Sequence, residues 1–215
     1  MSIADTAADT ASVGSPTGAV LINELRVDPD STDEGHEWVE RLNVDAVTLD
    51  PQMSTQLQVL NLFWNIYDCL TVFDDSMQLK PQLATEWKTL NPTTWQFKLR
   101  RGVKYHNGEP FDGESVKFHV ERVAQPGKTS VTAGFATIER VEILDPLTVN
   151  VVTKKPDPLL PTRFAAYGCQ MIPPKYTQQV GFPQLALKPV GTGPYKLVEW
   201  IKDDHLTLEA NKDYW

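Results

Sequence analysis

The chain has 215 residues, 28 acidic against 20 basic, and a net charge of −8, which disfavours nonspecific contact with nucleic-acid phosphates or an anionic membrane surface. Hydrophobic residues make up 41% and charged residues 22%, ordinary for a globular protein, and no run approaches the roughly 20 apolar residues of a membrane-spanning helix. Sixteen prolines, above the average usage of about 5%, point to edges and loops rather than a helical bundle.

Residues 1–18 (MSIADTAADTASVGSPTG) are small, polar and weakly acidic. They bury too little apolar surface to offset ordering entropy, so a disordered tail is expected, and no basic start with an apolar export core is visible there. Residues 19–41 form an atypical segment. Its VLINELRVDP and EWVE stretches weakly resemble the opening of a lamin-tail domain, a small β-sandwich that so few residues cannot close alone. An ordinary N-terminal strand pair and a junction near residues 40–43 both account for it. Asp28, Asp30, Asp33 and Glu34, with His36 and Glu37, could hold a hard cation, but the oxygens and glycine of a calcium loop are out of register and a solvated turn is the simpler reading.

Residues 42–49 read as a short strand ended by Asp50-Pro51. Ser54 is placed to cap a helix whose apolar positions run through Leu57, Leu60, Phe63, Trp64, Tyr67 and Cys69 to Leu70. Asp74-Asp75-Ser76 marks a turn. Residues 86–90 and 94–100 form a hairpin about Asn91-Pro92, with Trp95, Phe97 and Leu99 alternating against Gln96, Lys98 and Arg100. Gly102, Asn107 and Gly108 loosen the chain before Asp112, the expected N-cap of a helix over 113–123. Residues 125–134 are rich in Gly, Ser, Thr and Lys, hence a loop. Residues 138–144 and 148–153 make a second hairpin, 156–167 a proline-opened helix, and Pro173-Pro174 opens a short one. Residues 195–200 and 205–210 alternate as a last strand pair.

Cys69 and Cys169 stand one hundred positions apart in apolar contexts. Two buried thiols is the favoured reading, a disulfide the alternative in an oxidising compartment, and a metal site does not fit the spacing. His36, His106, His119 and His205 are scattered singly, so no nucleophile with its base and no metal cage is evident. Gly191-Thr-Gly-Pro-Tyr lacks the Lys-Ser/Thr ending of a phosphate loop and the third glycine of a dinucleotide turn, and no cofactor is expected.

Four pieces in order, LDP (residues 49–51), the WQFKLRRGVKYHNGEPF stretch (95–111), GTGPY (191–195) and NKDYW (211–215), resemble the N-terminal part of the solute-binding proteins of peptide and nickel ABC transporters, family 5. The likeness runs over residues 42–215. It implies a mixed α/β fold of the periplasmic-binding-protein class II type, first lobe only and incomplete, with 42–70 and 177–215 building the lobe's sheet and 71–176 an inserted subdomain. Where the family carries an acidic residue before valine at the 113–123 helix start, Ser115 stands here.

The resemblance further implies a non-enzymatic receptor, periplasmic or extracellular, that traps a peptide or small molecule between two lobes and presents it to ABC permease subunits, with no nucleic-acid partner. Cleft-facing positions by this likeness are Ser54, Thr55, Lys128, Phe135 and Tyr167. The Asp and Arg side chains that hold a ligand's charged ends in family peptide receptors belong to the second lobe, so the chain is expected to be a truncated receptor with an open sheet edge and weak or no binding alone. A non-catalytic surface or interaction module with the lamin-tail-like start is the alternative, and a metal-dependent hydrolase built on the acidic loop a remote third.

Overall fold

The computed structural model describes residues 26–27, 37–40, 48–202 and 204–215. The tail expected over 1–18, the acidic turn of residues 28–36 and residues 42–47 of the expected first strand lie outside the described residues, and Thr48 to Asp50 adopt no strand.

β1 (Arg26–Val27) pairs antiparallel with β2 (Glu37–Glu40). α1 (Leu57–Ile66) buries Val59, Leu60, Leu62, Phe63 and Ile66 along one wide face. Ser54 does not cap it. Gln56 holds the N-cap position without a side-chain bond, and the Ser54 hydroxyl instead accepts the Gln56 amide at 3.3 Å in a turn ahead of the helix. The helix also stops short of Cys69 and Leu70. Tyr67 turns extended (φ −127°, ψ 152°), and the Ile66 carbonyl left over at the helix end accepts the Gly193 amide at 2.9 Å.

β3 (Thr71–Phe73) and β4 (Leu79–Pro81) form a small hairpin whose turn is organised by the Asp74 carboxylate, which accepts the amides of Ser76 and Gln78. β5 (Ala84–Asn91) and β6 (Thr94–Leu99) are the hairpin about Asn91-Pro92, with Trp87 opposite Phe97 and Thr89 opposite Trp95. Phe97 and Leu99 of β6 point inward and Lys98 outward, the period-two pattern read from the sequence. α2 (Gly113–Val123) begins with a capping box: the Asp112 carboxylate accepts the amides of Glu114 and Ser115, and the Ser115 hydroxyl accepts the Asp112 amide.

α3 (Thr132–Phe135) is a single helical turn in a stretch whose composition predicts loop. β7 (Ile138–Asp145) and β8 (Thr148–Thr153) complete an antiparallel sheet of order β5-β6-β8-β7, on which α2 packs. Only α4 (Leu160–Arg163) forms within the helix expected over 156–167, because Pro156, Pro158 and Pro161 withhold amides there and Pro161 is tolerated only at the first turn. α5 (Pro174–Val180) has its first amides, those of Lys175 and Tyr176, bound by the Glu109 carboxylate; α6 (Phe182–Leu185) follows. β9 (Tyr195–Ile201) and β10 (His205–Ala210) pair antiparallel, and β10 takes β2 on its other side. The resulting sheet reads β1-β2-β10-β9, so the strand at 37–40 joins the same sheet as the last strands of the chain.

Two cores result. One packs Phe97, Val116, Phe135, Val149 and Phe164 between α2 and the β5-to-β7 sheet. The other packs Leu49, Phe63, Tyr67, Ile172, Leu206 and Leu208 around α1 and β10. Their joint is covalent: Cys69 and Cys169, both fully buried, are disulfide-bonded with Cα atoms 5.2 Å apart, which overturns the reading of two free thiols. Apolar flanks report burial, but pairing depends on two non-strand segments meeting across one hundred residues, which local sequence does not encode.

Candidate functional site

The turn at Asp50-Pro51 is fixed from within by the Asp50 carboxylate, which accepts the Gln52 amide at 3.0 Å. That carboxylate is 2% exposed and is gripped at both oxygens by the guanidinium of Arg122, at 3.0 and 2.6 Å. The buried Gln52 side chain extends the network. Its carbonyl accepts from Arg122 at 2.8 Å, and its amide nitrogen donates to His119 Nδ1 at 2.8 Å. His119 is therefore a neutral acceptor at Nδ1, in keeping with a pKa pushed down to about 3 by burial and then by the neighbouring Arg122 charge. The guanidinium also lies 3.6 Å from the centroid of the Phe182 ring. The 50–54 loop is thus bolted to one face of α2, on which His119 and Arg122 are neighbours at i,i+3 spacing.

A second loop is sewn to the first. The Ser130 amide donates to Gln52 O and the Ser130 hydroxyl to Met53 O, both at 3.1 Å. A third presses on the second: at Gly168, with φ of +76°, a Cβ would fall 2.4 Å from Val131 Cγ2. On these adjoining loops Thr55, Lys128 and Tyr167 are exposed, Tyr167 to 45%, beside the exposed Met53. Ser54 is buried with its hydroxyl engaged by Gln56. Phe135 is 1% exposed, its ring set against His119 and Phe164 at centroid distances of 6.0 and 5.7 Å, so it supports the wall from the core and is not presented on it. Sequence reasoning named Asp50 as a strand end and His119 as a scattered histidine, and did not name Gln52 or Arg122. The signal available was an i,i+3 His/Arg pair on a predicted helix, together with an aspartate fixed before a proline.

The other three quoted motifs meet at a different place, a joint at the end of α1. A Cβ on Gly191 would stand 1.9 Å from Ile66 O, and one on Gly193 2.6 Å from Asn65 O, so the GTGPY loop lies directly on the end of α1. His106 of the HNG stretch donates its amide to Gly191 O at 2.8 Å and its Nε2 hydrogen to Gly193 O at 2.9 Å, and Nδ1 accepts the Gly191 amide at 3.3 Å. Burial lowers its pKa to about 4. The buried Asp68 carboxylate accepts from Gln82, Thr192, Tyr214 and Trp215, while burial holds its pKa up at about 6 against those hydrogen bonds. These motifs are scaffold. A groove of about 610 Å³ lies elsewhere again, between β9 and residues 187–190, lined by Tyr176, Leu187, Val190, Val198 and Trp200 among others. Among the described residues no group of three or more His, Cys, Asp or Glu is arranged to hold a metal ion.

Residues 78–215 match the family model described as bacterial extracellular solute-binding proteins, family 5, middle. The chain is 31% identical over 185 residues to the glutathione-binding protein GsiB of Pectobacterium atrosepticum, covering 83% of this chain and 36% of that one. It is 30% identical over 174 residues to GsiB of Escherichia coli K12, covering 78% and 33%. The chain thus spans about a third of the length of these curated relatives. Among solved structures it resembles NikZ from Campylobacter jejuni in complex with Ni(L-His), at 28% identity and a TM-score of 0.71, over 80% of this chain and 35% of that one. It likewise resembles MoaA of A. tumefaciens with mannopinic acid, at 28% identity and a TM-score of 0.75, over 80% and 36%, and the periplasmic binding protein DppA of Helicobacter pylori with a bound peptide, at 28% identity and a TM-score of 0.70, over 80% and 38%.

Proposed function

Because the chain belongs to family 5 of the bacterial extracellular solute-binding proteins, we propose that it supplies one wall of a receptor that captures a peptide or related small molecule and hands it to the permease of an ABC import system. The observation that carries this reading is the loop wall: Thr55, Lys128 and Tyr167 stand on three loops joined by the Ser130 hydrogen bonds and the Gly168–Val131 contact, on a base locked by the Asp50–Arg122 pair. Such a surface offers a cation, a hydroxyl and an aromatic face, which suits holding a polar solute and organises no reaction. We therefore read it as binding rather than catalysis.

The lobe division at 42–70 with 177–215 against 71–176 belongs to the same proposal, as does a periplasmic or extracellular setting, which a fully buried disulfide favours. One wall makes only part of the contacts that select a closed, liganded state, so this chain by itself should hold ligand weakly.

The reading is tested by titrating the isotope-labelled chain with glutathione, a dipeptide series and a nickel–histidine chelate while following backbone amide shifts. Millimolar, saturable perturbations confined to residues 53–55, 128–131 and 166–168 are expected. Perturbations centred on the groove beside β9, or turnover of any added peptide, would overturn it, and micromolar affinity would overturn the claim that one wall is insufficient.

A further inference from the structure

The Cys69–Cys169 disulfide has a position that a general staple would not need. Its Cys69 end is bonded to the surrounding fold on both sides of the peptide. The Cys69 amide donates to Gln82 Oε1 at 2.9 Å, its carbonyl accepts the Leu83 amide at 3.0 Å, and the residue before it is the Asp68 on which four side chains converge. The Cys169 end is different. Among the described residues, the backbone bonds that the amides of Ala165, Ala166 and Cys169 make run to Thr162, Arg163 and Ala166, short turns within the same segment. Apart from the interaction of the His119 ring with the Gly168 and Gln170 backbone, anchoring to the rest of the fold resumes at Met171, whose amide donates to Asp68 O at 2.9 Å.

From this asymmetry we propose that the disulfide is the positioning element of the loop wall: it carries the rigidity of the Asp68 joint into the 165–170 segment and so fixes where Tyr167 stands and where the 128–131 loop rests. The inference depends on the reading of that wall as the ligand surface. The mechanical path is short. Cys169 is followed backward by Gly168, whose backbone approach to Val131 leaves no room for a Cβ and whose φ of +76° is open to glycine. Val131 in turn adjoins Ser130, which is hydrogen-bonded to Gln52 O and Met53 O. With both sulfurs fully buried, the bond is a fixed strut and not an exposed exchange site.

The test is hydrogen exchange on the full chain without any ligand, oxidised wild type against the Cys69→Ser/Cys169→Ser double variant, with wild type reduced and then reoxidised as a second arm. We expect at least tenfold faster exchange at the amides of residues 128–134 and 165–171, unchanged protection across β6 and β8, and recovery on reoxidation. Uniform acceleration through both cores, failure of the double variant to fold, or no change at the two segments would each overturn the proposal. Because no ligand is used, the result is separable from the titration: a wall that loosens locally but meets no solute removes the functional reading alone, and a wall that binds solute but loosens globally removes this inference alone.

Discussion

Asp68 and Trp215 stand 147 positions apart in sequence, yet the indole nitrogen of Trp215 donates to Asp68 Oδ2 at 3.1 Å. Tyr214 reaches the other oxygen at 3.2 Å, and the Arg100 guanidinium lies 4.3 Å from the centroid of the Trp215 ring. The NKDYW motif is thereby tied to the junction between α1 and β3, the same point at which the GTGPY loop arrives through Thr192.

Asp68→Asn should destabilise the chain, because an amide group would face the Thr192 and Trp215 donors in place of an acceptor, a loss of about 1–3 kcal/mol. The pH dependence gives the sharper test. Asp68 is held up at about 6, so the stability tied to its protonated form is complete below the ordinary value of 3.8 and is lost as pH rises through 6. The wild type carries that loss and the variant does not, so the gap between them should narrow by about 1 kcal/mol from pH 5 to pH 8. Urea titrations at the two pH values measure it, and a gap that widens with pH would contradict the assignment.

Gly191→Ala should cost more than about 3 kcal/mol, since its Cβ would sit 1.9 Å from Ile66 O and backbone, not a flexible side chain, would have to retreat. Gly134→Ala is the control. Open space surrounds that position and its φ is not positive, so the change should stay within about 0.5 kcal/mol of wild type. Thermal denaturation of the two variants side by side distinguishes a steric requirement at Gly191 from a general intolerance of alanine.

The strands and α2 were legible because their signals are local: the sequence patterns read over 94–100, 138–144 and 148–153, and an aspartate cap at 112. Apart from the proline-broken 156–167 helix and the Ser54 cap, what failed depended on distance. Tyr67 leaves the helix that its spacing continues because the GTGPY loop, more than a hundred residues on, takes the helix-end carbonyl. Phe135 was placed at the cleft by the likeness to a family, but whether an aromatic ring beside a loop faces inward is decided by Phe164 and His119, which sequence order does not bring near it. Thr55, Lys128 and Tyr167 are exposed where the likeness proposed cleft-facing positions; the Asp50–Arg122 lock, spanning 72 positions, had no such pointer.

Arg122→Met should destabilise by about 3–5 kcal/mol, the range for removing one partner of a buried ion pair, because the Asp50 carboxylate at 2% exposure would lose both its guanidinium contacts. Asp50→Asn combined with Arg122→Met removes the charge as well as its partner and should recover part of that loss. A double-mutant cycle measures the coupling, and a coupling near zero would show that the pair does not hold the 50–54 loop to α2.

Acid should weaken the fold well above the carboxylate range. His106 and His119 are held neutral, at about 4 and about 3 against an ordinary 6.5, in both cases chiefly by burial. Below pH 6.5 the unfolded chain binds protons that the folded chain refuses, so the contribution of each is complete above 6.5 and lost as pH falls through its folded value. At pH 5 that is about 2 kcal/mol for each, which exceeds the opposing gain from a single Asp68 over the same interval. Stability measured by urea from pH 7.5 to 4.5 should therefore decline, with a shallower slope in His106→Gln and again in His119→Gln whatever their starting level. A slope that neither variant changes would mean that these histidines admit protons in the folded state.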